Sequence, residues 1–130
     1  MPDSARIDVF NEKRGNIVAS KSFAFSVRIV KAYKQLGRVK SEFVLSKQLL
    51  RSGTSIGANV EEAIGGYSKA DFAAKMGIAY KEARETAYWI RLLKATEYLS
   101  EAEAFSLLKD ADELLRITGA ILIATKPKPK

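Results

Sequence analysis

Between Leu45 and Ile64, apolar or small side chains fall at 45, 49, 53, 56, 60 and 64, with gaps of four, four, three, four and four that keep to one face of a 3.6-residue helix. The run passes straight through Arg51 to Ala58, RSGTSIGA, whose Ser, Gly and Thr content ordinarily belongs to a loop. An interrupting loop would leave the two flanks no reason to share a register, so the spacing predicts one helix over about 43–64, with Phe43 at its head. Gly53 and Gly57 each cost such a helix about 1 kcal/mol relative to Ala. A second helix approaching the backbone closely is a compensation that needs the missing side chains.

The same period recurs on both sides. Phe25, Ile29, Tyr33 and Leu36 predict a first helix over about 20–36, with Gly37 placed for a left-handed cap and a flexible segment over about 1–16. Gly65 and Gly66 end the second helix. Ser68 then starts a third, over about 68–96, with Asp71 in the capping position and Phe72, Met76, Ala79, Ala83, Ala87, Ile90 and Lys94 along its stripe. Ser100 starts a fourth over about 100–125, carried by Leu108, Ala111, Leu115, Thr118 and Leu122. Residues 126–130, KPKPK, form a basic tail in which alternating Pro forbids helix. No strand alternation, internal repeat or Gly-rich phosphate loop interrupts this order. Four helices with short links predict a single all-α domain over 1–130, an up-down-up-down antiparallel four-helix bundle.

Composition narrows the chemistry. The 130 residues include neither Cys nor His. Thiolate and imidazole metal sites, disulfides and the usual Cys–His and Ser–His nucleophile pairs are thereby removed, as is the Glu-x-x-His ligand set of di-iron bundles. The expectation is a protein that is not an enzyme and has no metal and no cofactor. The first 18 residues carry acids and lack an apolar core, and the longest uncharged apolar segment, 117–125, is far too short for a bilayer. A cytoplasmic protein without a membrane partner is expected.

The segments SKSFAFSVRIVKAYKQL, FVLSKQLLRSGTSIGANVEEAI and YSKADFAAKMGIAYKEARETAYWIRLL, with the apolar fourth helix, resemble a known family over roughly residues 17–125. It is the bacterial four-helix-bundle family named for genes in intervening sequences of large-subunit (23S) ribosomal RNA. The resemblance implies an antiparallel bundle that assembles into ring-like homopentamers. It also implies kinship with the accessory proteins of diversity-generating retroelements, whose basic pentamers bind nucleic acid and a reverse transcriptase. A reverse transcriptase is thus a candidate partner. The resemblance implies no enzymatic activity.

The net charge of +7 is unevenly spread. Residues 1–41 hold nine cations against three acids, whereas residues 100–125 hold two against five. Lys21, Arg28, Lys31, Lys34 and Arg38 fall within an arc of about 140° on a helical wheel, opposite Phe25, Ile29 and Tyr33. With Lys40 they form a candidate surface for the phosphates of nucleic acid, structured RNA above all. The same stripe would also serve as a solvated face, or recruit an acidic protein to a scaffold that binds no nucleic acid. A second group comprises Arg51, Glu61, Glu62, Arg84, Glu85, Trp89 and Arg91. Antiparallel packing could bring Glu61 and Glu62 toward the arginines of the third helix, as an ion-pair network that sets register or joins subunits. Tyr80, Tyr88, Trp89 and Tyr98 would either stack on bases or fill core and interface.

Overall fold

The computed structural model describes residues 2–126, with side chains described from residue 15. It has four α-helices: α1 Pro2–Lys40, α2 Leu45–Ile64, α3 Lys69–Ala95 and α4 Glu101–Thr125. Among the described residues there is no strand. Each helix packs on the next in sequence, and α1 packs on α4, which closes a four-helix bundle.

The side-chain pairings show that every neighbour runs antiparallel. Gly15 faces Ile64, Gly53 faces Ile29 and Gly37 faces Phe43, in reversed order along α1 and α2. Lys75 meets Glu62 while Arg51 meets Glu82 and Glu85, which reverses α3 against α2. Gly77 faces Leu122 and Gly119 faces Tyr80 between α3 and α4. Lys21 meets Glu113 and Arg28 meets Asp110 between α4 and α1. One end of the bundle therefore carries the α1–α2 and α3–α4 connections. The other carries the α2–α3 connection, the region of Gly15, and Thr125.

Helix α2 is continuous through the small-residue run, and α1 explains why. A Cβ on Gly53 would stand 2.8 Å from both Cγ1 and Cγ2 of Ile29, and one on Gly57 would stand 3.2 Å from the Ser26 hydroxyl and 3.4 Å from the Ser22 carbonyl. The absent side chains let the two backbones approach, which is the compensation for their helix cost. Ser52, on the same helix, is fully buried and accepts a hydrogen bond from Thr86 of α3 at 3.0 Å.

Helix α1 is longer than the 20–36 expected. Its helical backbone begins at Pro2, so residues 2–16, expected to precede the helix, are part of it, and residue 1 lies outside the described residues; proline suits a first helical position, and no Pro or Gly follows until Gly15. At the other end Gly37 is not the cap. Its φ is not positive, and the space a Cβ would fill lies 3.0 Å from the Phe43 ring. The helix continues one more turn, and Ser41 takes the left-handed conformation at φ 53°.

Phe43 accordingly stands outside α2, about half exposed, and the helix starts at Leu45. The cap there is the carboxylate of Glu42, which accepts from the backbone N–H groups of Val44, Leu45 and Ser46 at 3.1, 2.8 and 2.7 Å. Burial alone would raise this carboxyl, but those N–H groups and the Ser46 hydroxyl stabilise its anion and hold it below the usual glutamate range. Helices α3 and α4 start where their serines indicate. Ser68 accepts from the Asp71 N–H, and Ser100 forms a reciprocal capping box with Glu103. Helix α3 ends on Glu97 at φ 68°, with the Tyr98 N–H donating to Leu93 O and the Glu97 N–H to Lys94 O, a Schellman closure made without glycine.

The core runs through Phe25, Ile29, Leu49, Ile56, Met76, Ile90 and Leu93. In α4 the innermost residues are Leu107, Leu114 and Ile121, with Ala111 and Thr118. The expected Leu108, Leu115 and Leu122 are half-buried beside them. Each turn of α4 offers two adjacent apolar residues, so periodicity leaves its rotation open by about 100°. The contacts of Ser106, Asp110 and Glu113 with α1 accompany the rotation adopted. In α3, Thr86 and Leu93 occupy the core where Ala87 and Lys94 were expected, because the buried face follows an 83, 86, 90, 93 spacing.

Candidate nucleic-acid interface

Helix α1 presents its cations in two sets. Lys21 pairs with Glu113 at 3.0 Å. The Arg28 guanidinium donates to the Asp110 carboxylate at 2.6 Å, the Ser106 carbonyl at 3.2 Å and the Ser106 hydroxyl at 2.8 Å. Both side chains are thus engaged with the acidic helix α4. Lys31, Lys34, Arg38 and Lys40 are exposed, and none takes part in a salt bridge among the described residues. Four unpaired cations spread over the last ten residues of α1 span about 14 Å, a length that covers several phosphates of a nucleic-acid strand.

Lys34 and Arg38 point outward from the bundle, on the face opposite Phe25 and Ile29. Lys31 and Lys40 stand at the rim of a groove of about 370 Å³ beside them. Ala32, Leu36 and Val39 of α1 form one wall of that groove, Tyr98 and Leu99 of the α3–α4 connection the second, and Leu107 of α4 the third. Gln35 lines it without a side-chain hydrogen bond among the described residues. Glu103 is its acid. Hydrogen bonds with Ser100 hold the Glu103 carboxyl below its ordinary range, and the charge of Lys40 acts in the same direction. The left-handed Glu97 reverses the chain at this point and brings Tyr98 and Leu99 to the groove.

The second group of residues divides. Arg51 binds Glu85 directly, Glu82 at 3.4 Å and Gln48 at 3.1 Å, while the Trp89 indole donates to Glu85 at 2.8 Å. Glu62 instead pairs with Lys75 at 3.2 Å, and no side-chain partner of Glu61 occurs among the described residues. Neither carboxylate meets an arginine of α3. The antiparallel register sets Glu62 against Lys75 in the second turn of α3, and Arg84 lies nine residues, about 13 Å, beyond Lys75. Arg84 reaches only the Tyr80 hydroxyl at 3.5 Å, and Arg91 the Ala87 carbonyl at 3.4 Å.

The aromatics also separate. Tyr80 lies against Gly119, and Tyr88 meets Trp89 edge-on with centroids 5.0 Å apart. Tyr98 alone among them lines the groove. Glu42, Glu82, Lys75, Asp110 and Glu113 are partners that sequence reasoning missed. Lys21 and Arg28 on one helix, and Glu113 and Asp110 in reversed order on another, were a visible charge complement, but only once α1 and α4 are known to be neighbours.

No helix among the described residues is long and apolar enough to cross a membrane. The family described as 23S rRNA-intervening sequence protein matches residues 14–120. Among solved structures, a protein of unknown function from the S23 ribosomal protein family of Bacteroides thetaiotaomicron is similar, with 48% identity over 85% of this chain and 98% of that one, at a TM-score of 0.83. Among curated proteins none matches.

Proposed function

The chain belongs to the 23S rRNA-intervening sequence protein family, and on that footing we propose that it is a non-catalytic, basic, homo-oligomeric helical protein that binds RNA through the phosphate backbone. The observation that carries this reading is the set of unpaired, exposed cations at the end of α1, Lys31, Lys34, Arg38 and Lys40. Lys21 and Arg28, first candidates by wheel position, are committed to α4 and contribute less. Backbone contacts position a nucleic acid without reading its bases, so little sequence preference is expected.

A ring of five copies would repeat this surface about an axis. Exposed apolar side chains support further assembly: Phe23 is 69% exposed on the outer face of α1, Phe105 is 73% exposed on α4, and both would stay wet in a monomer. Light scattering should then give a mass well above 14.3 kDa, about five times it for the ring. The same exposed phenylalanines favour, as a second reading, a protein-interaction scaffold that binds no nucleic acid.

The two divide on one titration. RNA affinity should fall with salt, and Lys34→Gln with Arg38→Gln should flatten the logarithmic slope by about 1.4, at about 0.7 for each phosphate contact to a single strand. Gln keeps the helix intact. An unchanged slope in the double variant removes Lys34 and Arg38 from the interface, and absence of binding by the parent at low salt leaves the scaffold reading.

A further inference from the structure

Beside the stripe, the groove between α1, the α3–α4 connection and α4 combines features that no single simple ligand class would use together. Its walls are apolar, from Leu36, Val39, Leu99 and Leu107, and it holds one aromatic ring, Tyr98. Its rim carries the cations Lys31 and Lys40, neither of them in a salt bridge among the described residues, and it is also lined by Arg28, which is held by Asp110, and by the carboxylate of Glu103, whose charge offsets part of that of Lys40. Gln35 adds an amide able both to donate and to accept. A small inorganic anion would leave the walls and the ring without a partner. A purely apolar ligand would leave two ammonium groups and an amide unused. The volume, about 370 Å³, lies at the small end of organic-ligand sites. The bases of a duplex are stacked and paired inside it and cannot enter such a space.

We propose that this groove receives one unpaired nucleotide of the bound RNA. The base lies inside against Tyr98 and the Leu36–Val39 wall with an edge toward Gln35, and the flanking phosphates lie at Lys31 and Lys40. The proposal rests on the RNA-binding reading and deepens it: the preferred partner is RNA with a bulge or loop rather than continuous helix. Lys31 lines the groove and belongs to the same stripe of α1 as Lys34 and Arg38, so the two surfaces share one helix. Stacking on an aromatic side chain is sequence-tolerant, because every base has a π-face. Selection is therefore for an unpaired position, not for a particular base.

The test compares a blunt RNA duplex with the same duplex carrying one bulged uridine, at fixed salt. The two differ by a single phosphate, so the stripe alone gives nearly equal affinities. Occupancy of the groove should favour the bulged duplex by about tenfold, within the range that base–aromatic stacking supplies. Gln35→Trp fills the groove from an exposed position and should abolish the preference while leaving blunt-duplex affinity and salt slope at parental values. Tyr98→Ala should do the same and Tyr98→Phe should retain the preference, with circular dichroism confirming helix content. Equal binding of both RNAs by the parent, or a preference that survives Gln35→Trp, overturns the groove proposal and leaves the stripe standing. Binding of neither RNA overturns the RNA reading and this proposal together. Capture of an acidic, aromatic peptide that Gln35→Trp blocks, with no bulge preference, assigns the groove to a protein partner and also overturns it.

Discussion

Gly53→Ala and Gly77→Ala are the same chemical change in the middle of two helices, and they should act in opposite directions. Both replacements gain about 1 kcal/mol of helix propensity. At Gly77 the new methyl group meets only a Leu122 methyl at 4.0 Å, ordinary contact, so the gain is kept. At Gly53 it would lie 2.8 Å from Cγ1 and Cγ2 of Ile29, about 1 Å inside the 3.5–4.0 Å optimum for carbon pairs. Ile29 is fully buried and, being β-branched in a helix, has essentially one rotamer, so it cannot turn away. The strain is relieved only by parting α1 from α2, an overpacking cost of about 1–3 kcal/mol. Net effects of about −1 kcal/mol at Gly53 and about +1 kcal/mol at Gly77 follow. At about 4 °C per kcal/mol for a chain of this length, the two melting temperatures should differ by about 8 °C. Thermal denaturation at one fixed protein concentration reads this, since assembly makes the midpoint depend on concentration. In an Ile29→Ala background both 2.8 Å contacts are gone and only the one with Cβ, at 3.2 Å, remains, so the cost of Gly53→Ala should shrink by about 1 kcal/mol or more. Gly53→Ala melting at or above Gly77→Ala, or a cost that does not shrink in the Ile29→Ala background, would refute the close-approach account of α2.

Three further outcomes are expected. Glu97→Gly should raise stability by about 0.5–1 kcal/mol in denaturant titration, because a left-handed conformation costs a non-glycine residue about 1–2 kcal/mol and glycine little, less the entropy glycine loses on folding. Ser100→Ala removes the N-cap of α4 and its reciprocal bond with Glu103, and should cost about 1 kcal/mol in the same assay. Glu42 is held below the ordinary glutamate value, so its contribution is present above that value, about 4.3, and is lost as the pH falls through the lower folded-state one. Glu42→Gln should lower stability at pH 7 by about 1–3 kcal/mol and flatten the acid limb below pH 5, which urea titrations across pH would record.

Local signals carried the second, third and fourth helices well. Ser68 and Ser100 cap as their spacing to Asp71 and Glu103 indicates, and the register through Ser52–Ala58 indicated continuity before any partner was known. What misled was tertiary. Gly37 has the sequence look of a cap, but its missing side chain accommodates Phe43, a residue the chain brings back only after the turn. The rotation of α4 was open because Leu107 and Leu108, Leu114 and Leu115, and Ile121 and Leu122 are equally apolar neighbours. The basic stripe was legible as a count of cations and not as a surface. Arg28 and Lys21 leave it because acids more than eighty residues away stand opposite. The groove had no signature at all, since its walls come from three elements that only the closed bundle brings together.

The sidedness of the bundle has a consequence for reach. The exposed cations of α1 and the groove stand toward the end that carries the α1–α2 and α3–α4 connections, while Lys126 follows α4 toward the opposite end, about 28 Å along the helix from Leu107 of the groove. Residues 127–130 of the basic tail lie outside the described residues. Within one molecule Lys126 therefore lies out of reach of any phosphate bound at the groove. Any strand bound by both must run the length of the bundle or pass to a neighbouring copy, so the shortest RNA able to engage both regions of one molecule is itself a measure of that distance.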